Sequence, residues 1–295
     1  MHLLARQHKG ADPIKTYTAF FDVSGSSTNE MQMARHISSA CGGAMREVLF
    51  GVDDFRTLLP QIAAYMDDPV TDYAVLPTWK LASVAATEQK VVLCGEGADE
   101  LFAGYGRYKD YWWRRKRRTP SVEGALQSWS NLQRKQAHDI QGYLPNDLLV
   151  KLDTCLMAHG LEGRTPFLDR DVARFAFSLP DRLKIRGRHG KYILKKWLES
   201  VLPDAKPFHR KRGFTVPVGE WIAQDGAALS DVLTQNHFLK ELLTTDELHD
   251  LPSMLRHEKG AKECWRPLYL ALWHTGRKNS LDFKGLPPIL DALAD

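Results

Sequence analysis

Glu96, Asp99 and Glu100 crowd into the run Val91-Val92-Leu93-Cys94-Gly95-Glu96-Gly97-Ala98-Asp99-Glu100-Leu101-Phe102-Ala103-Gly104-Tyr105. Carboxylates so placed can hold a hard divalent cation or move a proton. Gly95 and Gly97 let the backbone approach a ligand more closely than a Cβ would permit. Asp99 and Glu100 then open a helix, and free N–H groups at a helix start beyond the carboxyl end of a strand favour phosphate. The helix dipole alone also favours acids in a first turn, so Asp99 and Glu100 have an explanation without a ligand. Glu96 is harder to explain in that way, because it sits between two glycines in the turn itself, and a functional role is the preferred reading. Cys94 is read as a small residue at a strand end and not as a nucleophile, since no histidine lies near it in sequence.

The elements that must position this turn follow from periodicity. Val91-Val92-Leu93 reads as an interior parallel strand. Residues 14 to 21 read as another, and Ser27-Thr28-Asn29-Glu30 has the capping-box spacing of a helix that runs to Ala40 and stops at Cys41-Gly42-Gly43. A further strand is expected from Arg46 to Phe50, a helix from Asp53 to Tyr65, and another from Pro77 to Gln89. Alternation of this kind predicts an α/β fold with a parallel sheet and flanking helices over residues 1–110. After Tyr105 strand signals nearly vanish, helices divided by Pro120, Pro145, Pro166, Pro180, Pro203 and Pro217 are expected up to about Trp273, and residues 111–295 are read as the helical remainder of the domain. Met1 to Gln7 has helical composition with neither a cap nor a strand before it, an odd opening for a parallel sheet.

With 295 residues and 43% hydrophobic content, the chain can bury a substantial core as two domains or one large one. Cys41, Cys94, Cys155 and Cys264 show no Cys-x-x-Cys spacing, which argues against a zinc site or a disulfide framework and for a reducing cytoplasm. No run is apolar enough for a membrane span, and the opening residues do not suit a signal peptide. The net charge of +4 is modest, with basic clusters at Arg114 to Arg118 and Lys206 to Arg212. Trp112 and Trp113 beside the first cluster could stack on bases. Without a nucleic-acid module around them, a solvated helix face is the preferred reading, and no nucleic-acid partner is expected.

Several stretches in order resemble the synthetase domain of the glutamine-dependent asparagine synthetases, of the PP-loop ATP pyrophosphatase superfamily. Residues 91–105 resemble the family's Ser-Gly-Glu-Gly-x-Asp-Glu-x-x-x-Gly-Tyr segment. Leu144 to Asp153, Met157-Ala158 and Leu161 to Asp169 resemble the following helix and loop, and Gly190-Lys191, Arg210 to Pro217 and Trp221 complete the set. The resemblance implies an adenine nucleotide alpha hydrolase-like sheet. It also implies a ligase that uses ATP and Mg2+ to adenylate the aspartate side chain, then amidates it with ammonia or glutamine-derived ammonia. By that resemblance Ala19, Cys94, Gly95 and Gly97 line the nucleotide pocket and Asp99 holds the metal. Glu96 assists the intermediate or deprotonates ammonia, and Lys211 meets the pyrophosphate charge. Lys191 is either a nucleotide contact or a surface cation, and Tyr105 either meets substrate or closes its helix. Asp153 and Glu162 either line the substrate or ammonia path or pair with Arg164.

The departures are as specific as the matches. The family's Ser-Gly-Gly-x-Asp-Ser loop and the strand before it are absent, and Ser24-Gly25-Ser26-Ser27 is not read as a relocated substitute. The glutaminase domain is absent too. Thr154 and Leu156 replace an arginine and a serine, and Met45 falls near a usual histidine. Loss of the loop removes several charge-assisted contacts worth on the order of 2 kcal/mol each, so adenylation unaided is expected to be impaired. The reading is therefore a truncated or split synthetase partnered by a separate N-terminal polypeptide supplying glutaminase and loop, with a homodimer also allowed. A non-catalytic remnant or partner-binding module, and a related ligase acting on another carboxylate, stay open as alternatives.

Overall fold

The computed structural model describes residues 1–7, 12–21, 27–70, 72–113, 121–124, 126–209, 215–278 and 286–293. After α1 (His2–Gln7), β1 (Ile14–Phe21) and β2 (Gly43–Phe50) form a parallel pair in register from Ile14 opposite Gly43 to Phe21 opposite Phe50. They are joined through α2 (Ser27–Ala40). The second strand begins before the expected Arg46 because pairing with β1 continues through Met45 and Ala44, which lack an apolar alternation of their own. Next come α3 (Val52–Tyr65) and α4 (Val75–Ala86). Helix α4 begins two residues before Pro77, which lies in its first turn, where a missing N–H leaves no intrahelical bond unmade.

β3 (Val91–Leu93) leads into α5 (Ala98–Leu101) and α6 (Gly106–Trp113). There follow α7 (Asn131–Gln141), a π-helical turn at Leu144–Leu149, α8 (Val150–Met157) and β4 (Glu162–Arg164). The fourth strand was not expected. It pairs parallel to β3, Val91 opposite Glu162 and Leu93 opposite Arg164. Glu-Gly-Arg carries no β signal, and the free edge of β3 makes it a strand.

Among the described residues the helices that follow are α9 (Arg170–Ser178), α10 (Asp181–Lys184), α11 (Tyr192–Val201), α12 (Val218–Gln224) and α13 (Gly226–Gln235). The last are α14 (His237–Leu242), α15 (Thr245–Leu255), α16 (Glu258–Glu263), α17 (Trp265–Lys278) and α18 (Ile289–Leu293).

The largest apolar cluster crosses from the first segment to the second. Phe21, Phe50 and Phe55 surround Trp221 of α12 with ring centroids 5.9, 5.4 and 5.7 Å away, and Leu268 and Leu272 of α17 belong to the same cluster. A smaller cluster joins Tyr17 of β1 to Val92 and Cys94 at β3 through Ala82, Ala85, Leu152, Leu156 and Leu161. Leu156 thus has a core reason to be apolar. Among the described residues β1 pairs only with β2 and β3 only with β4, leaving two half-sheets that meet through side chains and not through backbone hydrogen bonds.

Candidate active site

The ladder of β3 and β4 runs one step further, with the Cys94 N–H donating to the Arg164 carbonyl at 2.8 Å. Gly95 then lies exposed with open space where a Cβ would stand. Gly97 is the opposite case. It is buried at φ +87°, and a Cβ there would fall inside the Leu168 side chain. Its glycine identity is thus fixed by backbone shape and packing before any ligand is considered. Between the two, Glu96 is half-buried, and it has no ion-pair partner among the described residues.

Asp99 and Glu100, neighbours in sequence, have different surroundings. Glu100 is 1% exposed and accepts a hydrogen bond from the Tyr105 hydroxyl at 2.6 Å. Burial, then the bond to Glu100, pushes that hydroxyl far above its ordinary range, so it stays a donor. Tyr105 therefore closes the short helix onto a buried carboxylate. Asp99 is part-exposed and pairs with Lys191 at 2.9 Å. Two glycines make that approach possible. A Cβ at Gly104 would overlap the Asp99 carboxylate, and one at Gly190 would overlap the Ala103 carbonyl. Lys191 itself, at φ +52°, caps α11 and donates its N–H to the Phe102 carbonyl at 2.9 Å. The starts of α5 and α11 are thus held together by a carboxylate and an ammonium group.

The remaining candidates lie as follows. Ala19 is half-buried on β1 opposite Val48. The half-buried Cys94 thiol is pushed up to about 11 by burial first and by Glu96 second, so it stays protonated and suits a pocket wall better than a nucleophile. Glu162 and Arg164 pair with each other at 2.7 Å on the exposed side of β4, and Asp153 is exposed on α8. Lys211 and the rest of 210–214, the Ser24-Gly25-Ser26 stretch and the basic run 114–118 lie outside the described residues.

Sequence reasoning missed a layer behind the turn. Arg107 lies 4.3 Å from the Tyr105 ring centre and 4.8 Å from that of Tyr143, and pairs with the buried Asp139 at 3.1 Å. Gln136 and Lys184 are fully buried beneath α5. One signal was available: Leu132, Gln136 and Asp139 share a face of α7 at helical spacing, so two polar residues interrupt what should be an apolar stripe.

As for magnesium, no three His, Cys, Asp or Glu side chains converge among the described residues. A magnesium ion that bridges phosphates needs only one or two carboxylates beside phosphate and water oxygens. Asp99 fits as one such ligand, since its carboxylate is 37% exposed and its partner is a flexible lysine.

Comparison with known sequences decides the family. The sequence model described as Asparagine synthase matches residues 1–275. The chain belongs to the asparagine synthase family. Similar proteins include asparagine synthetase [glutamine-hydrolyzing] 1 of Bacillus subtilis strain 168, 25% identical over 89% of the chain and 52% of that protein. A putative asparagine synthetase [glutamine-hydrolyzing] of Mycobacterium tuberculosis H37Rv is 28% identical over 88% of the chain and 50% of the relative. In Saccharomyces cerevisiae, asparagine synthetase [glutamine-hydrolyzing] 1 is 30% identical over 65% of the chain and 34% of its own length. The chain spans about half the length of the first two relatives. No helix among the described residues is long and apolar enough to cross a membrane.

Proposed function

We propose that this member of the asparagine synthase family carries the amide-forming site of an asparagine synthetase. The observation that carries the proposal is the corner at the carboxyl end of β3, where Glu96 stands one turn from an Asp99–Lys191 pair 2.9 Å apart. ATP enters along Ala19, Cys94 and Gly95, and an oxygen of the aspartate side chain attacks its α-phosphorus as pyrophosphate leaves. Asp99 would hold a magnesium ion, which would supply positive charge where negative charge builds on the phosphates. Lys191 turns from Asp99 toward the phosphates, and Lys211 supplies a second cation. Ammonia then attacks the acyl carbon, AMP departs, and Glu96 takes the proton released by the new C–N bond.

The two half-sheets support a second element of this reading. A strand lying parallel between β1 and β3 would pair both free edges over the cluster of Tyr17, Val92 and Cys94. In our reading that strand, with the Ser-Gly-Gly-x-Asp-Ser loop after it, comes from polypeptide outside residues 1–295 and completes the phosphate wall.

The test is pyrophosphate and asparagine formation from ATP, magnesium, aspartate and ammonia, by the chain alone and with a fragment bearing that strand and loop. Glu96→Gln is expected to lower asparagine formation at least about a hundredfold. No product in either mixture, or full activity in Glu96→Gln, would overturn the reading. Product from another carboxylate would retain the chemistry and reassign the substrate.

A further inference from the structure

Gln136 of α7 and Lys184 of α10 are both 0% exposed, and no step of the proposed chemistry uses either. The Gln136 Nε2 donates to two carbonyls, Glu100 at 2.6 Å and Leu101 at 2.8 Å. These are the last two residues of α5, the helix that follows the Glu96 turn. Its Oε1 accepts from the Lys184 Nζ at 3.0 Å. Lys184 in turn donates to the Phe177 carbonyl at 3.3 Å and lies 5.2 Å from the centre of the Phe177 ring.

A helix as short as α5 leaves its terminal carbonyls without intrahelical donors, and buried carbonyls left unpaired are costly. One amide group serves both here. An amide can be rotated so that oxygen and nitrogen exchange places, which would set oxygen against the two carbonyls. An ammonium group accepts no hydrogen bond, so Lys184 permits only the orientation that points the NH2 at α5. A buried cation is a poor means of adding stability, because apolar side chains of the same volume usually serve as well or better. What the pair adds is a single allowed geometry.

We infer that Gln136 and Lys184 are positioning residues for the ligase reaction, acting as a buried strut that fixes α5 and, through it, Glu96 and Asp99. The inference rests on the proposed function for its consequence in catalysis; the strut itself can be read without it.

Gln136→Glu separates the two ends of the strut. It keeps the volume and the link to Lys184 but cannot donate to the carbonyls. Lys184→Met removes the ammonium group and frees the amide to turn. Backbone hydrogen–deuterium exchange on the full chain is the first readout. Both variants are expected to speed exchange over 97–105 by about tenfold or more, with α3 and α17 unchanged. Steady-state pyrophosphate formation is the second, with kcat falling about tenfold and KM for ATP changing less than about twofold. Unaltered exchange at 97–105 in both variants, or exchange that rises equally through α17, would overturn the inference. Either variant alone suffices if the other does not fold. If the unmodified chain forms no pyrophosphate with or without the added fragment, the ligase reading fails, and the exchange comparison still decides the strut.

Discussion

At Gly97 one residue meets two demands, a positive φ and contact with Leu168 closer than any Cβ allows. Gly97→Ala should therefore cost about 2–3 kcal/mol in a urea titration, the sum of a left-handed backbone term and displacement of Leu168. The double variant with Leu168→Ala should show less than the sum of the two single losses, because the overlap is relieved and only the backbone term persists. Lys184 yields a prediction of a different kind. Burial lowers its ammonium from the ordinary 10.5 to about 8, against the pull of Asp181. The folded state then binds the proton more weakly than the unfolded state does. The penalty is full below pH 8 and is relieved as pH rises from 8 toward 10.5, by up to on the order of 3 kcal/mol. Stability of the unmodified chain should rise relative to Lys184→Met across that window, with thiols and phenols that titrate at high pH common to both; parallel urea midpoints at pH 7 to 10 would refute it. Residue type and spacing made the turn after β3 legible as a turn, although the structure gives Gly97 and Glu100 packing reasons of their own, against Leu168 and Tyr105. Gln136 and Lys184 were not legible, because a polar residue on an apolar stripe announces an exception without naming its partner.

Among the elements, helices with a clear stripe or cap were read close to their observed limits, as α2 and α3 show. β4 was not, since its three residues become a strand only where β3 offers an edge. Helix α7 shows how a local signal and a distant contact combine. Ser130 Oγ accepts from the Gln133 N–H at 3.0 Å, and the Gln133 side chain accepts from the Ser130 N–H at 2.9 Å. The same hydroxyl donates to Asp181 at 3.0 Å, so the cap ties the start of α7 to α10, the helix that carries Lys184. Ser130→Ala should cost about 1–2 kcal/mol, more than the loss of an exposed cap, because Asp181 is partly buried and loses a donor as well. Ser130→Thr, which keeps the hydroxyl, should recover most of it. Thermal melting of the two variants side by side distinguishes a cap from a mere surface serine, for which both would melt with the unmodified chain.

For the whole molecule, the decisive feature is the interval between the half-sheets. Helices α4 and α8 cover the side where Tyr17, Val92 and Cys94 meet, Val91 and Leu93 face outward, and among the described residues β1 and β3 each have one edge without a ladder partner. An unpaired strand edge presents a row of N–H and C=O groups and invites another strand. A fragment with the family's strand and Ser-Gly-Gly-x-Asp-Ser loop should therefore bind the native state and not the unfolded chain. At a concentration a hundredfold above its dissociation constant it would add about 2.7 kcal/mol to stability, seen as a concentration-dependent rise in melting temperature. A proline at the centre of the added strand removes a ladder donor and should abolish the rise, whereas a proline beyond its end should not. If both fragments raised the melting temperature equally, binding would lie elsewhere, for instance on the exposed Val91 and Leu93 side chains at the face of β3. The strand-centre proline therefore separates completion of the sheet from adhesion to its surface, and only completion would set a phosphate-binding loop opposite Glu96 and Asp99.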